Sequence, residues 1–300
     1  MSERRSPATG RRYGVLRVCE AWDVARSTFY ARRKTAQPSA MPSVALRRRG
    51  PRPRISDDEL LARIVADLER TPFSGEGYRK VWARLRVLDG VRVGRKRVNR
   101  LMREHQLLSP HRRPTGEAKL HDGTITTEAP NVMWGTDGAR VLTVEDGWGW
   151  VFIAVDHFNV ECVGHHVCKT GDRFAALEPL AMGIAEQYGS VGVDVARGLA
   201  VRMDHGTQYL SDHFLNQLRF WGIAPSFAFV AEPQTNGVAE RFIRTLKEQV
   251  IYGRVFRNLD EVRVAVAAFV RRYNAEWLVE KLGFLSPQQA RSRVEVRAAA

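Results

Sequence analysis

VMWGTDGARVLTV, residues 132–144, is the stretch on which the fold turns. Its apolar and β-branched residues predict a strand, and Asp137 sits inside it, behind Trp134. An acid there is unusual, because carboxylates are mostly at the surface or paired. The next two segments, WGWVFIAVD (148–156) and VECVGHHVC (160–168), also read as strands. Beyond them an amphipathic helix covers about 172–188, and the short apolar strand LAVRM ends just before Asp204. Helices follow over about 211–221 and from about 236. Strands first, then strands alternating with helices, predict an α/β layer sandwich around a mixed sheet.

The segment PQTNGVAERFIRTLKEQ, residues 233–249, adds a third acid. Pro233, Asn236 and Gly237 read as a turn. The helix after it has Val238, Phe242, Ile243, Leu246 and Val250 as its apolar stripe. Glu240 falls in the first turn, where the helix dipole favours an acid. Arg244 and Lys247 continue along the same ridge, at one and two turns' spacing. Neither Asp137 nor Asp204 has an evident basic neighbour at pairing distance in sequence, so two acids on central strands ask for a cation. Each acid alone is an ordinary surface carboxylate; the combination carries the reading. Three hard oxygen ligands without Cys or His favour Mg²⁺ or Mn²⁺ over Zn²⁺. Two such ions can activate an attacking oxygen and stabilise a leaving one in phosphoryl transfer. The basic ridge then suits a phosphodiester running past the metal.

Charge separates the two ends of the chain. There are 47 basic and 33 acidic residues in 300, a net +14. Residues 1–120 hold 29 basic and 12 acidic residues, against 18 and 21 in the remainder. A basic front end of this kind points to a polyanion partner. Three cysteines make no disulfide framework, no apolar run approaches the roughly 20 residues that span a bilayer, and the polar, Arg-rich start lacks a signal core. A reducing interior without a membrane, a bacterial cytoplasm or a nucleus, is the expectation.

Within the front end, residues 1–36 read as a helix-turn-helix-like segment and 37–54 as a basic, Pro-rich linker. Residues 55–113 read as a helical DNA-binding domain. Ser56, followed by Asp57, Asp58 and Glu59, opens its first helix. Tyr78, Val81, Trp82 and Leu85 mark the second, and Asp89-Gly90 breaks it. GRKRVNRLMREHQLL makes the third, with Val98, Leu101 and Met102 inward and Arg95, Arg97, Arg100 and Arg103 outward, a helix suited to a DNA groove in which Arg95, Arg97 and Arg100 are the expected contacts. Residues 114–130 are a second linker, and 131–300 hold the α/β domain with a C-terminal helical extension. Cys162, His165, His166 and Cys168 are too compact for a structural zinc site. Asp156 reads as a strand-turn cap, and Trp148 and Trp150 as strand packing. No Gly-rich phosphate loop is present.

The acids resemble a known signature. Asp137, Asp204 and, after 35 intervening residues, Glu240 are similar to the D…D-35-E pattern of the retroviral-integrase superfamily. More narrowly, the chain resembles second-frame (OrfB-type) transposases of bacterial insertion sequences. The matching blocks are NVMWGTD (131–137), MDHGTQYLSDHF (203–214), EPQTNGVAERFIRTLKEQ (232–249) and YNAEWLVEKLGFLSPQQAR (273–291), with residues 56–113 as the preceding helical block. It departs from the pattern at His205, at Gly138-Ala139, and at Trp277 and Val279. The resemblance implies a ribonuclease-H-like fold with a five-stranded mixed sheet. It implies Asp137, Asp204 and Glu240 as catalytic metal ligands for two Mg²⁺ or Mn²⁺ ions, with Arg244, Lys247 and Asn236 at the DNA. It implies strand cleavage and transfer at an element's terminal repeats, a homo-oligomer at paired ends, and a first-frame (OrfA-type) partner. A decayed DNA-binding regulator and a metal-dependent nuclease on the same fold are the alternatives.

Overall fold

A computed structural model of the chain describes residues 2–36, 53–109, 127–228 and 236–299. The linker expected at 37–54 and most of that at 114–130 lie outside them, as does Pro233 of the turn before Glu240.

The chain forms two compact units, Met1–Arg54 and Ile55–Ala300. The first has two helices, α1 (Val15–Ala21) and α2 (Arg26–Ala36), joined by a turn in which Asp23 takes a positive φ of 49°. Cys19 is buried there, whereas Leu16, Trp22 and Tyr30 stay exposed.

The second unit opens with α3 (Asp57–Arg70), α4 (Tyr78–Val87) and α5 (Arg95–Glu104). Ser56 caps α3 by accepting from the Glu59 N–H at 3.1 Å, and three acids fill the first turn. Leu60, Ile64, Val81, Leu85, Val98, Leu101 and Met102 form the core of this helical block. Their spacing of three and four residues is what turned one face of each helix inward. Two buried acids, Asp67 and Glu76, both pair with the buried Arg84 guanidinium and so hold the 71–77 loop onto α3 and α4. A buried charge is tolerated when it is paired in this way.

The sheet follows: β1 (Met133–Thr143), β2 (Gly147–Asp156), β3 (Cys162–Cys168), β4 (Ala200–Met203) and β5 (Ala224–Phe227), in spatial order β3-β2-β1-β4-β5. β1, β2 and β3 are antiparallel neighbours, and β4 and β5 run parallel to β1. This mixed five-stranded order, with helices on both faces, is the ribonuclease-H-like arrangement. On one face, α6 (Arg173–Tyr188) and α8 (Asp212–Phe220) cover Trp134, Phe152, Ala154 and Val201. α6 lies so close to β3 that a Cβ on Gly164 would stand 1.8 Å from the Pro179 carbonyl oxygen. A short helix, α7 (Thr207–Leu210), precedes α8. On the other face, α9 (Gly237–Leu246) and α10 (Leu259–Glu276) cover Ala139, Val141, Val151 and Ile153. A single π-helical turn, Lys247–Ile251, follows α9.

The last helix, α11 (Pro287–Ala299), is fastened to the strand end by Arg291, which pairs with buried Glu161 and with Asp156 at 3.7 Å. Asp156 accepts from the Asn131 and Phe158 N–H groups at 2.7 Å each, so it organises the turn after β2. Trp150 packs as expected, stacked on Phe152. Trp148 does not: it is half exposed, under the Arg140 guanidinium at 4.6 Å, because the end of the β1–β2 hairpin projects past its covering helix. No described helix is long and apolar enough to cross a membrane.

Candidate active site

The parallel register between β1 and β4 pairs Gly135 with Arg202. Carried two residues further, that register sets Asp137, inside β1, beside Asp204, just past the end of β4. α9 packs over β1 and β2, and its buried face is Ala239, Phe242, Ile243 and Leu246. The other face holds Glu240, Arg241 and Arg244, all exposed, and Lys247 is half-buried at the head of the π turn.

The three acids act on one another. Burial, first, and then the charges of Asp204 and Glu240 push the Asp137 carboxyl up to about 6; the Gly138 N–H, which Oδ1 accepts at 2.7 Å, and the Lys247 charge pull the other way. Glu240 is also raised, by burial and by Asp204, against the pull of Arg244. Asp204 Oδ1 accepts from the Gly206 N–H at 2.8 Å. None of the three makes an ion pair among the described residues. Beneath them Tyr209 is fully buried, and burial and the charges of Asp137 and Asp204 keep its hydroxyl protonated.

Three carboxylates whose charges oppose one another, one of them pushed up to about 6, form a donor set that suits a hard divalent cation. The chemistry of the donors fits such an ion. As they stand, no three Asp, Glu, His or Cys side chains among the described residues are gathered closely enough to hold one.

The basic residues expected at DNA divide into two groups. Arg244 and Lys247 make no ion pair among the described residues and lie where their charges reach Glu240 and Asp137 respectively. The three arginines of α5 are engaged inside the protein. Arg97 binds Asp57 and the Ile55 carbonyl oxygen, each at 2.7 Å. Arg100 binds Asp57 and Glu104. Arg95 binds Glu280 at 2.8 Å and lies over the Trp82 ring. Lys96 and Arg103, opposite the buried Val98–Leu101–Met102 stripe, are exposed and make no ion pair among the described residues. Asn236, expected in the turn before Glu240 and at the DNA, is buried at the foot of α9, and its amide donates to the Thr136 carbonyl oxygen at 3.0 Å. A short polar side chain at the foot of a helix packed on a sheet finds its partner in the sheet's backbone.

Sequence reasoning missed Tyr209, although it lies in the MDHGTQYLSDHF block, and missed His157, whose ring has no local pattern to mark it. It also missed Gln249, which meets Ser74 from a distance of 175 residues.

Comparison with known proteins follows the same division of the chain. A family described as an HTH-like domain matches residues 56–115, and one described as an integrase core domain matches residues 221–287. The transposase for insertion sequence element IS629 of Shigella sonnei is 25% identical over 289 residues, covering 93% of this chain and 91% of that protein. Transposase InsD for insertion element IS2A/D/F/H/I/K of Escherichia coli is 29% identical over 250 residues, covering 80% of this chain and 81% of its own. Among solved structures, the HTLV-2 integrase catalytic core domain in complex with magnesium aligns with 55% of this chain and 98% of its own length, at 14% identity and a TM-score of 0.41.

Proposed function

The chain is a relative of insertion-sequence transposases with an HTH-like domain and an integrase core domain, and on that premise we propose that it cleaves and joins DNA strands at the ends of an element. The observation that carries the reading is electrostatic: the charges of Asp204 and Glu240, remote in sequence, help to raise the Asp137 carboxyl, that of Asp204 helps to raise Glu240, and Lys247 acts on Asp137 in the opposite sense.

In this reading Asp137, Asp204 and Glu240 are the residues that hold Mg²⁺ or Mn²⁺. Two such ions, when bound, activate the attacking oxygen and stabilise the leaving one. The chain's own residues do the rest. Asp137, whose carboxyl is pushed up to about 6, would be held ionised by a cation in the site. Lys247 and Arg244, along one ridge, hold phosphates of the terminal nucleotides beside the acids. The helical block binds the terminal repeat through the exposed Lys96 and Arg103 face of α5. Two copies of the chain act together on paired ends, and a first-frame (OrfA-type) protein joins them.

The test is an assay with Mg²⁺ and DNA carrying the element's terminal repeats. Joined products are expected, and Asp204→Asn is expected to abolish joining while sparing end binding. Cleavage without joining would mean a nuclease. A bound but uncut DNA would mean a regulator.

A further inference from the structure

We propose that Asn236 and His157 are positioning residues, a polar pair closed over Gly135 that sets the first turn of α9, and hence Glu240, against the strand that carries Asp137. This rests on the reading of those acids as a metal site.

Asn236 occupies the N-cap position of α9, yet its side chain caps nothing there. Its Nδ2 donates instead to the Thr136 carbonyl oxygen at 3.0 Å, one residue before Asp137. The backbone of one acid is thereby tied to the helix of another. That bond also fixes the amide's orientation, since only nitrogen can face a carbonyl oxygen. The remaining amide oxygen, Oδ1, is buried without a partner.

His157 is the second half. It is 3% exposed, and neither ring nitrogen has a hydrogen-bond partner. Its backbone is pinned: the N–H donates to the Met133 carbonyl oxygen at 2.9 Å, and the carbonyl oxygen accepts from Lys281 Nζ at 2.9 Å. Burial, and then the charges of Lys281 and Arg202, push the ring down to about 4, so it is neutral at working pH and carries one N–H to donate.

The two orphaned side chains meet at one place. A Cβ on Gly135 would stand 2.9 Å from Asn236 Oδ1, 3.0 Å from His157 Nε2 and 3.3 Å from the Ala239 Cβ. Only glycine lets β1 pass between them. One atom can only accept, and the other can donate. Buried polar groups without partners are rare and unfavourable, so a rotation joining Nε2–H to Oδ1 pairs two of the three orphaned atoms, leaving His157 Nδ1 as the acceptor nitrogen of the neutral ring. With that bond made, one end of the Asn236 amide holds α9 to β1 and the other to the turn after β2, whose His157 N–H is itself bonded to the Met133 carbonyl oxygen of β1. The acids of the site then inherit a fixed separation.

The test uses the full chain and two readouts: Mn²⁺ affinity, from the loss of the free-ion paramagnetic resonance signal, and the rate of end joining at saturating DNA. Asp204→Asn serves as the control for the metal site. Asn236→Ala and His157→Leu are expected to weaken Mn²⁺ binding at least fivefold and slow joining at least tenfold, with end-DNA affinity within twofold of wild type. His157→Gln, which places an amide nitrogen near the Nε2 position, is expected to restore both to within threefold. The proposal is overturned if His157→Leu and Asn236→Ala bind Mn²⁺ as wild type does, or if His157→Gln is as impaired as His157→Leu, which would mark a packing role. If wild type and Asp204→Asn bind Mn²⁺ alike, the metal-site reading itself falls. If they differ while His157→Leu matches wild type, only the positioning pair falls.

Discussion

Ser74 and Gln249 exchange two hydrogen bonds: the Ser74 N–H donates to Gln249 Oε1 at 2.9 Å, and Gln249 Nε2 donates to the Ser74 carbonyl oxygen at 2.7 Å. Gln249 lies in the π turn that continues the helix of Glu240, and Ser74 in the loop of the helical block. Beside them Phe73 is buried in the α9–α10 core, edge-on to Trp277 at 4.9 Å. Lys80 lies over the same Trp277 ring, and Arg79 and Arg95 both reach Glu280. The helical block is thus built onto the α9–α10 side of the sheet.

Phe73→Ala is therefore expected to destabilise the whole Ile55–Ala300 unit by about 3–5 kcal/mol, the range for truncating a buried aromatic residue. Urea unfolding followed by tryptophan fluorescence measures it. Gln249→Ala, which removes only the exchanged pair, is expected to cost about 1 kcal/mol.

The arginines of α5 lead to a reversal. Arg97→Ala is expected to lower stability by about 1–2 kcal/mol, through the lost Asp57 and Ile55 contacts, with little effect on DNA affinity. Lys96→Ala and Arg103→Ala are expected to do the opposite, each weakening DNA binding and reducing its log–log salt slope by about 1. Fluorescence anisotropy across a salt series decides between them.

How far this was legible in the sequence depends on the range of each interaction. β1, β2 and β3 carry long apolar or alternating runs that announce themselves locally, and Ser56 with its three acids marks the start of α3. β5 does not: it is four residues, APSF, with a proline and only partial burial. α10 has a clean stripe in Leu259, Val262, Val266, Phe269, Val270 and Tyr273, but the reading of 131–300 resolves it only as part of a helical extension. The outward face of α5 was legible, whereas the pairing of its arginines was not. Their partners Asp57 and Glu280 lie 40 and 185 residues away. For the same reason no spacing could show that Asn236 turns inward to Thr136, 100 residues distant.

Two groups impose opposite pH dependences on stability. Asp137 is held at about 6, above its ordinary 3.8, so between those values the unfolded chain ionises first and stability falls as pH rises. Above pH 6 the charged carboxylate is a standing cost on the order of 2–3 kcal/mol. Asp137→Asn is expected to raise the melting temperature at pH 7.5 without divalent ions and to flatten the profile between pH 4 and 6.

His157 acts in the other direction. Its ring is held at about 4, below the ordinary 6.5, so the unfolded chain takes up the proton first as pH falls, and stability is lost from pH 6.5 down to 4. His157→Gln is expected to remove that acid-side loss. Calorimetric melting of wild type and both variants from pH 4 to 8 separates the two effects, since one variant removes a slope of each sign.

The shared use of divalent ions by Asp137, Asp204 and Glu240 is tested most directly by anomalous diffraction from crystals of the chain grown with Mn²⁺ and end DNA. The expected result is manganese density bounded by the carboxylates of Asp137 and Asp204, with Glu240 drawn in to the same centre. Manganese bound elsewhere, or absent from those three side chains at saturating concentration, would contradict it.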